Sequence, residues 1–146
     1  MTSVRPRLPN DKANCNELLD AMITSRAAGI SIIPIDHRTK RPAMRLLPTG
    51  DDGKPTWAPF QEAITDEASI RRWANSCKAF AVVCGKVSGG LLVLDFDVPR
   101  FYDAWRETVG SLAVGLPVQQ TGGGGFQVYV RTGNPGKTII IESEQF

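Results

Sequence analysis

Asp95 and Asp97 are the residues best placed for chemistry. They close the run Leu91-Leu92-Val93-Leu94-Asp95-Phe96-Asp97. Side chains alternate along a strand, so acids two positions apart share a face, with Cβ atoms roughly 6–7 Å apart. Two hard carboxylates at that spacing can hold one or two divalent cations that phosphate oxygens and water also ligate. Both acids stand where the apolar residues stop, at the rim of a core. A reading without chemistry is also open: acids often follow strands, and Asp97 could serve only to cap a helix opening at Pro99.

A second candidate is Thr121-Gly122-Gly123-Gly124-Gly125-Phe126-Gln127-Val128-Tyr129. Four consecutive glycines cost conformational entropy on folding. That cost makes sense where backbone must approach a ligand closely or offer N–H groups to phosphate, and a plain hairpin loop is the alternative. The run does not fit the dinucleotide or Walker patterns, which need a helix directly after the loop. Gln127 and Tyr129 share one face of the strand that follows. A third candidate is basic: Lys40, Arg41 and Arg45 sit in a long polar segment, residues 36–56. They either meet phosphates of a nucleotide or template, Lys40 foremost, or form a solvated loop.

These groups need a scaffold. Residues 1–13 read as a loose arm, and 14–146 as one domain. Asn14 and Glu17 stand in a capping-box relation, and Cys15, Leu18, Leu19, Met22 and Ile23 make one apolar helical stripe that Gly29 ends. Ile30–Ile35 reads as a buried strand, with Pro34 marking its end or an edge position. Trp57 and Phe60 return to the core. Thr65 or Asp66 caps a helix through Trp73, with Arg71 and Arg72 late in it as the helix dipole prefers. Ala79–Cys84 and Leu91–Asp97 read as strands, antiparallel across the short turn 85–90. Pro99 opens a helix on which Phe101, Ala104, Trp105 and Thr108 share a face. Val118–Thr121 and Phe126–Arg131 read as strands flanking the glycine loop, and Lys137–Ile141 as a last strand. The pattern implies an α+β fold: a mainly antiparallel sheet with flanking helices on one face.

Bulk properties narrow the class. The chain has 146 residues, enough for one domain with a real core. Lys plus Arg total 17 against 15 Asp plus Glu, a formal charge of +2, so nucleic-acid binding would need a local patch of charge. The three cysteines form no CxxC pair and His37 is the single histidine, which argues against a zinc site. The first residues lack the apolar segment of a signal peptide, and the apolar runs are too short to span a bilayer. A reducing, cytoplasmic setting with free thiols is expected.

Taken together and in order, these motifs resemble the N-terminal domain of bifunctional DNA primase-polymerases, of the archaeo-eukaryotic primase superfamily. The resemblance runs from the first helix to about Arg131. It includes Gly29-Ile30-Ser31-Ile32-Ile33-Pro34, Lys40-Arg41-Pro42, Trp57 and Trp73. It continues through Val82-Val83-Cys84-Gly85, Ser88-Gly89-Gly90, Asp95 with Asp97, and the Thr121–Gly125 run entering a strand. The resemblance implies an RRM-like primase catalytic core and nucleotide addition on a single-stranded DNA template, as in plasmid, phage and viral replication proteins. It gives Asp95 and Asp97 to Mg²⁺ or Mn²⁺, and Lys40, Gly123, Gly124 and Gln127 to the nucleoside triphosphate. It also implies a helicase domain or protein as a partner, and no membrane.

The chain departs from the family in two places. The Gln127 position is usually histidine in the family, and an amide carries no positive charge. The third metal-binding acid of the family lies on a later strand, where Glu142 or Glu144 is the candidate, Glu142 first. The last dozen residues fit the family poorly, so the domain is expected to be shortened at its C-terminus. A second expectation follows: a catalytically inactive remnant that still binds nucleotide or single-stranded DNA.

Overall fold

The computed structural model describes residues 11–140. The chain forms two compact units that divide between Val83 and Cys84.

The first unit opens with helix α1 (Asp11–Ala27). Asn14 lies inside this helix and does not cap it. The stripe itself is as expected: Met22 is fully buried, and Cys15, Leu18, Leu19 and Ile23 are half-buried. Gly29 adopts a positive φ of 76° and donates its N–H to Arg26 O at 2.9 Å, which closes the helix end. Strand β1 (Ile32–Ile35) then pairs antiparallel with β2 (Ala79–Val82), Ile32 opposite Val82 and Ile35 opposite Ala79. In so narrow a sheet every strand has an outer edge, which tolerates Pro34. The outer edge of β1 is served by side chains and loops. Thr65 Oγ1 donates to Ile32 O at 2.6 Å and accepts from Ile32 N at 3.0 Å. Ala43 N donates to Pro34 O at 2.9 Å.

Residues 36–56 are ordered by local bonds. The Asp36 carboxylate accepts from the N–H groups of Arg38 and Thr39, which holds it below the ordinary carboxylate range. A 3-10 turn follows at Met44–Leu46, and Thr49 bridges Pro55 around the Gly50–Gly53 turn. Helix α2 (Pro59–Glu62) is a single turn, absent from the expected elements; α3 (Glu67–Ala74) is the capped helix. Asp66 is its cap: the carboxylate accepts from Ser69 N at 2.9 Å and from Ser69 Oγ at 2.7 Å. Trp73 is buried, meets Phe60 edge-on at 5.1 Å, and donates Nε1–H to Leu46 O at 3.0 Å. That bond answers the one polar group on a large core ring.

The second unit holds β3 (Leu91–Phe96), α4 (Pro99–Val109), β4 (Val118–Gln120) and β5 (Phe126–Arg131). Its sheet is antiparallel in the order β3-β5-β4. Two expectations change here. The strands form two small sheets, not one, and the ladder partner of β3 is β5, not β2. The connection 85–90 contains a 3-10 turn, Lys86–Ser88, and closes on a bridge between Gly85 and Leu91.

A further correction concerns Lys137–Ile141. Residues 137–140 carry no strand, and Ile139 and Ile140 are exposed. A β-branched run becomes a strand only where another strand takes its backbone bonds. Ile141 lies outside the described residues.

Helix α4 covers one face of this sheet. Tyr102 stacks on Phe126 at 4.3 Å, and Trp105 packs on Phe96 at 5.5 Å. Phe96 and Phe126 are direct partners across the ladder. The face of α4 that is turned inward therefore carries Tyr102, Trp105 and Val109, while Ala104 and Thr108 are exposed, contrary to the expected face. The paired rings call for ring partners, which Ala104 and Thr108 cannot supply. No helix among the described residues is long and apolar enough to cross a membrane.

Candidate active site

Because residues alternate along β3 and β5, packing Phe96 and Phe126 against the rings of α4, with Val128 buried on the same face, turns Asp95, Gln127 and Tyr129 to the other face. Asp95 stands directly opposite Gln127, and Gln127 directly opposite Gln119 on β4. The three polar side chains thus form one row across three strands. Gln127 donates Nε2–H to Asp95 Oδ2 at 3.3 Å. In the next row, the Tyr129 hydroxyl lies 3.0 Å from Gln119 Oε1 and 3.3 Å from Gln127 Oε1, sharing its proton between the two. Burial first, then the neighbouring Cys84 and Asp95, push the Tyr129 hydroxyl above its ordinary pKa, so it stays a donor at neutral pH. The Gln127 amide is therefore oriented from both ends, oxygen toward Tyr129 and nitrogen toward Asp95.

Asp97 follows the last residue of β3 and is exposed. It does not cap α4: the cap position is Val98, and no side-chain cap bond forms there. The capping explanation for this acid is thereby removed.

The glycine run joins β4 to β5 in a tight turn. Thr121 N donates to Gly125 O at 2.9 Å, Gly125 N to Thr121 Oγ1 at 3.0 Å, and Gly124 N to Thr121 O at 2.9 Å. The four glycines are not equivalent. Gly124 has a φ of 86°, a conformation L side chains rarely adopt. A side chain at Gly125 would collide with the Phe96 carbonyl and lie 3.2 Å from Asp97 Cα. Gly125 is therefore what lets the turn lie against the end of the acid-bearing strand. Gly122 and Gly123 are exposed, have open space where a side chain would go, and need no positive φ. The fold alone gives no reason for glycine at these two positions.

Of the residues singled out from sequence, Asp95, Asp97, Gly123, Gly124 and Gln127 come together in the second unit. Lys40 belongs to the first, where it is exposed, has a φ of 57° and donates its N–H to Asp36 O at 2.7 Å. Glu142 and Glu144 lie outside the described residues. Among the described residues no three His, Cys, Asp or Glu side chains gather as a metal cluster. All three cysteines are free. Gln119 was not anticipated, although centring the hairpin on Gly123 would have set it opposite Gln127.

The class defined is a small α+β protein whose antiparallel sheet presents carboxylate, amide and glycine turn at one end of one face. The chain belongs to the family of bifunctional DNA primase/polymerase N-terminal domains, whose model matches residues 23–145. No curated protein matches it. The family implies nucleotide and DNA substrates.

Proposed function

We propose that this chain carries out divalent-metal-dependent nucleotide addition on a single-stranded DNA template, as part of a plasmid, phage or mobile-element replication protein that works with a helicase. One observation carries the reading: Asp95, Gln127 and the glycine turn meet at the end of one sheet face. Family membership supplies the substrate class.

The donor set fits a hard cation. Asp95 and Asp97 are exposed carboxylates, and Mg²⁺ or Mn²⁺ is commonly held by one or two such groups together with phosphate oxygens and water. When bound, the cation neutralises triphosphate charge and makes the primer 3′-hydroxyl more acidic. The chain's own residues do the rest. Asp95 and Asp97 fix where positive charge sits. Gln127, held through its oxygen by Tyr129, turns its N–H groups to a phosphate oxygen. The N–H groups of Gly122 and Gly123 add donors. Attack of the 3′-oxygen on the α-phosphorus forms the new phosphodiester and expels pyrophosphate. Positioning and preorganised electrostatics supply the rate.

Primer extension with Mn²⁺ on a single-stranded template tests this. The parent should extend the primer, and Asp95→Ala/Asp97→Ala should lose at least about 10²-fold in rate. Equal extension by the double variant would refute the site.

A second reading is favoured by one observation: Gln127 stands in the site as an amide, which carries no positive charge to meet a triphosphate. In that reading the chain is an inactive remnant that binds nucleotide or single-stranded DNA. Nucleotide binding without turnover in the same preparation would select it.

A further inference from the structure

The first unit carries a second feature that the Asp95 site does not use. Where the chain leaves β1, residues 35–45 fold over residues 76–78 and enclose an open cleft of about 520 Å³. Five basic side chains line it: His37, Arg38, Arg41, Arg45 and Lys78. Asp36 is the one acid in the lining, and its carboxylate is occupied by the N–H groups of Arg38 and Thr39. Among the described residues no carboxylate forms an ion pair with any of the five. In a chain whose formal charge is only +2, this is a concentrated local field.

The cleft is held in shape by backbone and side-chain bonds. Asp36 N donates to Arg41 O at 2.8 Å, and Ile35 bridges Pro42. Arg45 Nη2 donates to Ser76 O at 2.8 Å, which ties the two walls together. Arg38 and Arg41 are exposed, and their guanidinium forks suit the paired oxygens of a phosphodiester. The long polar segment thus acts as a rigid cationic rim.

We infer that this cleft binds the phosphodiester backbone of single-stranded nucleic acid. The inference rests on the reading above only in taking the anion to be nucleic acid. Four cations, Arg38, Arg41, Arg45 and Lys78, against the one carboxylate of Asp36 leave a surplus of positive charge that matches a polyanion better than a single small anion. Such contacts carry little base specificity and fade with salt.

Fluorescence anisotropy with a labelled oligo(dT) single strand tests it, on the full chain over a salt series. Arg38→Ala/Arg41→Ala should weaken binding at low salt by about tenfold or more. It should also flatten the dependence of log affinity on log salt by roughly 1.4, about 0.7 for each phosphate that is no longer neutralised. Arg38→Lys/Arg41→Lys should keep the slope while losing part of the affinity, since charge remains and the fork does not. Lys78→Glu, on the opposite wall, gives an independent loss. Thermal stabilisation by Mn²⁺ with nucleotide should be unchanged in all three, because Asp95 and Asp97 are intact. Unaltered affinity and slope in the alanine and glutamate variants would overturn the inference, as would a parent chain that does not bind the strand. The first outcome leaves the Asp95 site untouched, which the metal and nucleotide measurement reads separately; the second would count against use of a single-stranded template as well.

Discussion

Gln127 donates its amide to Asp95 from the position directly across the β3–β5 ladder, at 3.3 Å. The bond joins the acid proposed to hold the metal and the residue at whose position the resemblance implies histidine. It also sets a limit: Asp95 Oδ2 cannot give its full charge to a cation while it accepts this bond, so loading the site must weaken it.

Replacing the amide by the family's side chain tests this relationship. Gln127→His should lower the KM for nucleotide by several-fold, most clearly below about pH 6.5, where an unperturbed imidazole is charged. Gln127→Ala should raise KM more than it lowers kcat. Steady-state kinetics across pH would distinguish the two, and a flat response to both changes would remove Gln127 from the nucleotide site.

The glycine run offers an internal control. Gly125→Ala would push a methyl into the Phe96 carbonyl and toward Asp97. It should cost about 1–3 kcal/mol of stability, seen as a lower denaturation midpoint. Gly122→Ala meets nothing, so stability should change by less than about 0.5 kcal/mol. Nucleotide affinity should nonetheless fall, because the methyl occupies the space a phosphate would approach. If Gly122→Ala binds nucleotide as the parent does, the turn is only a turn.

Thr65 gives a prediction on stability alone. Its hydroxyl both donates to and accepts from the backbone of Ile32, and lies 3.2 Å from Ser31 Oγ. Thr65→Val keeps the volume but orphans a buried N–H and C=O on the outer edge of β1. The loss should be about 2–3 kcal/mol in chemical denaturation. Thr65→Ser should recover most of it.

Acid sensitivity follows from Asp66. The Ser69 hydroxyl, then the Ser69 N–H, bond its carboxylate and lower its pKa below the ordinary 3.8. A carboxylate whose pKa is depressed on folding stabilises above its unfolded pKa, and that contribution disappears as pH falls through the folded value. Ser69→Ala should therefore destabilise the chain at neutral pH by roughly 1 kcal/mol or less, as for a weakened helix cap. The part of the difference carried by the Asp66 charge should shrink as pH falls below the ordinary 3.8 and be gone once Asp66 is protonated in the folded chain, in thermal melts over a pH series.

Much of this protein is legible in the residues themselves. The α1 stripe through Met22, the Asp66 cap and the alternation that sets Asp95 opposite in facing to Phe96 are local properties. They follow from helical and strand periodicity over a few residues. The Thr121–Gly125 turn is similarly local, as is the hairpin it closes. The resemblance that led to the family rests on these short motifs in order.

Partnership across the chain was decided by the tertiary structure. Nothing near Leu91–Phe96 says that its ladder partner begins at Phe126, or that the register sets Asp95 against Gln127. A slip of one residue would have put that amide on the buried face. Tyr102 in place of Phe101 became the buried ring of α4 because Phe96 and Phe126 meet beneath it. Residues 137–140, for all their β-branched character, found no edge to pair with. Lys78 joined Arg38 and Arg41 around one cleft because β1 and β2 lie side by side. Periodicity acts between neighbours in sequence, whereas strand pairing and charge clustering depend on which distant segments minimise the free energy together.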